Sequence, residues 1–218
     1  MKINEIYYSI QGEGNWSGYP NIFIRTSGCN LRCSYCDTKY AYNNYKEINI
    51  DNIIESINQY NCNKICITGG EPLLQNDVYL LMDNLIRKKY EISIETNGSY
   101  SIKSISNKKS IMISLDIKCP SSNMNNKMLY ENIYFLHKKD QIKFVIKDYT
   151  DYKFSKDTIK KYRIKCPVYF QPVWGTNPKK LVNWILNDNL NVKLSIQIHK
   201  IIWGNKRGIW FIINIFLL

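Results

Sequence analysis

Hydrophobic residues in this chain come in short, nearly unbroken runs, and polar or glycine residues close almost every run. Such runs predict strands over 6–10, 21–27, 64–68, 91–95, 111–115, 141–147, 167–170 and 192–198. Between them the period lengthens. Ile53, Ile54 and Ile57 share one face of a predicted helix over 51–60, and further helices are expected over 78–89, around 128–137 and over 178–186. Strand and helix alternate, as in a mostly parallel α/β sheet that is open or partly closed as a (β/α) barrel. In both cases the carboxyl ends of the strands carry the site. Those ends here read Gly69-Gly70-Glu71-Pro72, Thr96-Asn97-Gly98, Asp116-Ile117-Lys118, Gln171-Pro172 and His199-Lys200.

No linker, repeat or low-complexity tract interrupts the alternation, so residues 1–218 are expected to form one domain. The odd stretch is 209–218, IWFIINIFLL, an apolar run of ten residues. A membrane span needs about twenty. A buried strand, a dimer contact or an atypical tail are the readings left.

With 218 residues, 44% hydrophobic and 13% aromatic, the chain can build a sizeable core. Seven cysteines, an odd number, do not make a disulfide framework, and Met1-Lys2-Ile3-Asn4-Glu5 lacks the apolar segment of a signal peptide. A cytoplasmic setting is the expectation. The net charge of +12 fits an RNA partner or an anionic small substrate. The lysines are dispersed, without the aromatic interleaving of RNA-binding motifs, which favours the small substrate. Neither a nucleic acid nor a membrane is expected as a partner.

The candidate chemistry is concentrated in Cys29, Cys33 and Cys36, spaced C-x3-C-x2-C. Thiolates are soft ligands suited to zinc or iron–sulfur. Structural zinc asks for four protein ligands, and the next cysteines, Cys62 and Cys66, are about a helix away. Three thiolates on a cubane cluster would leave one iron open to a cofactor or substrate. Asp37-Thr38 follows the third cysteine at once, as a plain helix cap or as part of the site. Arg25 lies inside an apolar strand, where a charge is rarely buried unpaired. It either pairs locally or points at an acid in a cavity. In Gln11-Gly12-Glu13-Gly14 two glycines make a loop that backbone or ligand can approach closely.

The cysteine spacing, with the aromatic Tyr35 before the third cysteine, resembles the signature of the radical S-adenosylmethionine (radical SAM) superfamily. Taken in order with Ser9-Ile10-Gln11-Gly12-Glu13-Gly14, Phe23-Ile24-Arg25, Cys36-Asp37-Thr38, Gly69-Gly70-Glu71-Pro72, Glu95-Thr96-Asn97-Gly98, Asp116-Ile117-Lys118, Gln171-Pro172 and Gln197-Ile198-His199-Lys200, it resembles the 7-carboxy-7-deazaguanine synthases over residues 4–205. The resemblance implies a partial, open (β/α) barrel and a homodimer. It implies conversion of 6-carboxy-5,6,7,8-tetrahydropterin to 7-carboxy-7-deazaguanine, with release of ammonia, in 7-deazapurine biosynthesis. Cys29, Cys33 and Cys36 would hold a [4Fe-4S] cluster whose open iron binds SAM. Reduction by an electron donor would split SAM into methionine and a 5′-deoxyadenosyl radical that abstracts hydrogen from the pterin.

The same resemblance places Tyr35, Asp37, Gly69, Gly70, Glu71, Gly98, Asp116 and Lys118 around SAM. It places Ile10, Gln11, Gly12, Glu13, Arg25, Thr96 and His199 around the pterin, and makes Thr38 the protein ligand of a Mg²⁺ ion. The chain departs from the pattern at Asp116, where many members carry serine, and in continuing to Leu218 past the His199-Lys200 pair. Three alternatives stand beside this reading: an activase of a glycyl-radical enzyme, an RNA-modifying radical enzyme, and a zinc-stabilised binding module. About four irons and four sulfides per chain, against one zinc, separate the last from the rest.

Overall fold

A computed structural model describes residues 1–206; the apolar run at 209–218 lies outside the described residues. The strands are β1 (Lys2–Ile10), β2 (Pro20–Thr26), β3 (Lys46–Glu47), β4 (Lys64–Gly69), β5 (Glu91–Thr96), β6 (Ile111–Ile117), β7 (Gln141–Ile146), β8 (Val168–Pro172) and β9 (Lys193–Leu194). They form one sheet in the order β3-β1-β2-β4-β5-β6-β7-β8-β9. From β2 to β9 every pairing is parallel, whereas β1 runs antiparallel to both β2 and β3. The end strands β3 and β9 do not pair with each other, so the sheet is open.

The helices are α1 (Ile50–Asn58), α2 (Asp77–Arg87), α3 (Lys103–Ser106), α4 (Asn132–Phe135), α5 (Tyr149–Lys161), α6 (Pro178–Asn187) and α7 (Ile198–Trp203). Local chemistry starts several of them. The Asn49 side chain accepts from Asn52 N at 2.8 Å to cap α1, and Asn177 accepts from Lys179 N ahead of Pro178 in α6. Three expectations need correction. The helix around 128–137 shrinks to α4, since the chain turns extended again at Leu136. The strand over 192–198 is reduced to the two residues of β9, and α7 begins at Ile198, so His199 stands on a helix and not at a strand end. Helix α5 has no counterpart in the sequence reading because its buried face carries Asp151, Ser155 and Thr158 alongside Tyr152. A polar face of that kind leaves no apolar periodicity to read.

The pleat sorts each central strand into two rows. Ile22, Ile24, Ile65, Ile67, Ile92, Ile94, Ile111 and Ile113 belong to the main core, together with Ile57, Leu81 and Leu85 of the helices. The other row begins with Phe23, Cys66, Ser93 and Met112, paired in register. Two residues further toward the carboxyl ends it becomes Arg25, Thr68, Glu95 and Ser114, and then Asp116 beside Lys143. The loop after β1 crosses this inner row. Asn15 N donates to Gln141 Oε1 at 2.6 Å, and Tyr169 Oη donates to Asn15 Oδ1 at 2.8 Å. In a flat sheet β1 and β7 would stand about 24 Å apart at ~4.8 Å per strand. The contact therefore requires the sheet to curl, which turns the polar row into the lining of a cavity.

Candidate active site

Two adjoining cavities open at the carboxyl ends of the parallel strands. The first, of about 450 Å³, has Cys29, Cys33 and Cys36 on one wall and Gly69, Gly70, Thr96, Asp116 and Lys118 on the strand ends. Tyr35 lines it as well, its hydroxyl donating to the Val145 carbonyl at 3.3 Å. The second, of about 410 Å³, is walled by Ile10, Gln11, Gly12, Glu13 and His199. Arg25, Asp37, Thr38, Thr68, Glu95 and Lys200 border both. The curl has brought segments from the two ends of the chain onto one site.

The glycines at the end of β4 are a steric necessity. A Cβ on Gly70 would stand 2.1 Å from the Gly28 carbonyl oxygen, and one on Gly69 2.2 Å from that of Thr26. Glu71 N donates to Gly28 O at 2.8 Å, so the end of β4 is sewn directly to the residue before the first cysteine. Glu71 itself is fully buried behind the wall and lines neither cavity. Its carboxylate accepts from Leu73 N (3.0 Å), Thr96 Oγ1 (2.8 Å) and Asn97 N (2.6 Å). Burial raises its pKa to about 7, against those hydrogen bonds. Gly98, at φ +74°, is likewise outside the walls; a Cβ there would meet Met128 and Leu115. Both residues were expected at SAM, and the structure sets them one layer back, shaping the β5 turn.

Cys29 accepts from Leu31 N at 3.4 Å and from the Asn97 amide at 3.7 Å. Burial raises the Cys29 and Cys33 thiols above their ordinary value. Among the described residues no three His, Cys, Asp or Glu side chains converge on a single-ion site. The cysteines instead fringe a cavity. A soft donor set of three thiols, spread about open volume and served by N–H donors, fits a cluster better than one closed zinc. Asp116 Oδ2 pairs with Lys118 Nζ at 3.0 Å, while its Oδ1 is buried without a hydrogen-bond partner.

The second cavity is held by charge. Arg25 Nε pairs with Glu5 at 2.7 Å and Nη2 donates to the Tyr7 hydroxyl at 2.9 Å. The local ion pair and the cavity-facing position offered as alternatives by the sequence thus coexist. Glu13 pairs with Lys143 Nζ (2.6 Å) and accepts from Gln197 Nε2 (2.7 Å). Burial opposes its ionisation, but Lys143 and His199 outweigh that and hold the carboxyl well below the ordinary range. His199 packs on Gly12, where a Cβ would come 2.0 Å from Nδ1, and burial lowers its pKa in spite of Glu13. Asp37 pairs with Lys200. Thr38 precedes the short 3-10 turn Lys39–Ala41, makes no side-chain capping bond, and lies 3.7 Å from Cys36 Sγ through Oγ1. Sequence reasoning left out Glu95, Gln197, Lys200 and Lys143. The last carried the same signal as Arg25, a charge within an apolar strand.

Residues 23–164 match the radical SAM superfamily, and the chain belongs to it, with the [4Fe-4S] cluster and SAM that this membership carries. The 7-carboxy-7-deazaguanine synthase of Thermoplasma acidophilum is 38% identical over 209 residues, covering 96% of this chain and 100% of that protein. That of Clostridium acetobutylicum is 41% identical over 220 residues, covering 95% and 99%. Within the superfamily the chain belongs to the 7-carboxy-7-deazaguanine synthase family. The fold is that of QueE from Escherichia coli, with a TM-score of 0.75 over 90% of this chain and 93% of that one, at 22% identity.

Proposed function

We propose that the protein converts 6-carboxy-5,6,7,8-tetrahydropterin to 7-carboxy-7-deazaguanine and ammonia, SAM occupying the first cavity and the pterin the second. The observation that carries this reading is the shared wall, which puts a three-cysteine cavity in direct contact with one lined by charged and hydrogen-bonding groups. The bound cluster and SAM supply one-electron cleavage and hydrogen abstraction. The residues here bind, orient and exclude water. Gly69, Gly70, Tyr35 and Asp37 shape the SAM side, with Asp116 Oδ1 as an unused acceptor and Lys118 as a cation. Gln11, Glu13, Arg25 and His199 surround the pterin, Arg25 facing its carboxylate. Thr96, which the resemblance sets beside the pterin, instead lines the first cavity and not the second, and donates to Glu71 at 2.8 Å. Family membership and the small cavities support a small-molecule substrate over nucleic acid. The reading also includes a homodimer, supported by exposed Ile201 and Ile202, and a cytoplasmic setting. Among the described residues no helix is long and apolar enough to cross a membrane. Anaerobic incubation of reconstituted protein with SAM, reductant and the carboxypterin should yield a product lighter by one ammonia. Unchanged pterin beside consumed SAM would refute the assignment.

Arg25→Lys is expected to weaken carboxypterin binding by about 1–3 kcal/mol, because a single ammonium cannot both hold Glu5 and present a planar fork. SAM affinity should barely change. Equal loss for both ligands would make Arg25 a structural residue alone.

Thr38 is the proposed Mg²⁺ ligand: the residue borders both cavities, and its hydroxyl is free of capping duty and 3.7 Å from Cys36 Sγ. Thr38→Ala should cost less than about 0.5 kcal/mol of stability, since no cap is lost. Its turnover should be lower and respond less to added Mg²⁺. Superimposable metal-response curves for parent and variant would remove the ion from Thr38.

A further inference from the structure

Lys143 is the one cation in the inner row of β7, and nothing in the sequence motifs assigns it a task. Its side chain is about nine-tenths buried, it lines the first cavity, and it reaches Glu13 of the second at 2.6 Å and Asp116 of the first at 3.7 Å. Asp116 in turn holds Lys118 at 3.0 Å, and Glu13 holds Gln197 at 2.7 Å. A continuous polar ladder, Gln197–Glu13–Lys143–Asp116–Lys118, therefore runs through the partition between the cavities. A buried carboxylate is tolerated only when paired, and Lys143 is the only ion-pair partner of Glu13 among the described residues.

We propose that Lys143 is a positioning residue: it keeps the Glu13 carboxylate charged and facing the substrate cavity, and ties it to Asp116 on the SAM side. The inference rests on the substrate reading above for what Glu13 meets, namely the N–H and amino donors of the pterin ring. The ion pair itself does not depend on that reading. Without Lys143, burial drives Glu13 toward its protonated form, and the ring donors lose a charged acceptor. His199 and Lys200 from α7, Asp37 from the loop after Cys36, Glu95 from β5 and Asp116 from β6 face the same space. They are common to all variants, so the effect is read as a difference between variants.

The test uses cluster-loaded protein under anaerobic conditions, in the parent, Lys143→Met, Lys143→Arg, Glu13→Gln and the Glu13→Gln/Lys143→Met double variant. Direct titration with carboxypterin should show Lys143→Met weaker by at least about 30-fold, the scale of breaking one side of a buried charge pair. Its affinity should fall further from about pH 8.5 to about pH 6, as Glu13 takes up a proton (a buried acid titrates higher once its cation is gone). Parent and Lys143→Arg should show no such added slope. The double variant should match Glu13→Gln alone, because the two residues act as a unit. Infrared spectra of the ligand-free proteins near neutral pH should show a protonated-carboxyl band in Lys143→Met that is missing from the double variant. Without that band, and with losses that add in the double variant, the proposal is overturned. If the band appears but even the parent binds no carboxypterin, Lys143 keeps its role toward Glu13 and the substrate reading fails instead.

Discussion

Cys33→Ala should give a folded, colourless protein with almost no iron and no turnover. Cys33 is half-buried on the cavity wall and outside the main core, so on the proposed assignment its loss would remove a cluster ligand without opening a core cavity. A cubane held by three protein thiolates has no spare ligand, and two are too few to keep it. The remaining cysteines offer no substitute. Cys66 sits under the Gln11 amide, Cys119 beside the Ser155 hydroxyl, Cys62 against the Pro20 and Lys64 carbonyls, and Cys166 in the core; none borders either cavity. Replacing those four should leave the iron content near four per chain. Iron and sulfide analysis after reconstitution checks both arms. A cluster that survives Cys33→Ala, or that vanishes when Cys62 and Cys66 alone are changed, would contradict the placement.

Gly70→Ala is expected to be severely damaging, costing about 3 kcal/mol. The new Cβ would stand 2.1 Å from Gly28 O and 2.9 Å from the Cys29 Cβ, so backbone must move and no flexible side chain can yield. The seam it would open carries the Gly70 N to Thr26 O and Glu71 N to Gly28 O hydrogen bonds, and the cysteine loop hangs from it. Cluster occupancy should therefore fall together with stability. Gly175→Ala is the matched control. Its φ of +87° disfavours a side chain, but a Cβ there meets nothing within 4 Å, so about 1 kcal/mol is expected. Denaturant melts of cluster-free protein compare them. Equal losses at the two positions would show that the seam is not what constrains Gly70.

The sequence was most legible where one residue type performs one kind of chemistry. That the cysteine triplet and Gly69-Gly70 share one cavity wall could be read, because thiolate spacing and missing side chains leave few physical alternatives. It was less legible where a motif residue acts at one remove. Glu71 and Gly98 belong to the right segments, yet Glu71 spends its carboxylate on Thr96 and Asn97, and Gly98 on making room for Met128 and Leu115. Proximity along the chain does not distinguish the wall from the layer behind it. Helix α5 was invisible because Asp151 is buried to accept from Ser121 N and Lys147 N, a long-range reason no period records. The register of β6 with β7, which sets Asp116 against Lys143, likewise exists only once the sheet has formed.

The central claim is that the cysteine cavity and the charged cavity behind Arg25 and Glu13 form one reaction site. The most direct measurement follows a hydrogen atom between their occupants. Reconstituted protein is given SAM, reductant and carboxypterin deuterated on its saturated ring, and the adenosyl products are analysed by mass spectrometry. The account predicts deuterium in 5′-deoxyadenosine or, after reversal, in SAM, in step with loss of ammonia from the pterin. Unlabelled 5′-deoxyadenosine formed at the same rate with or without the pterin would contradict it.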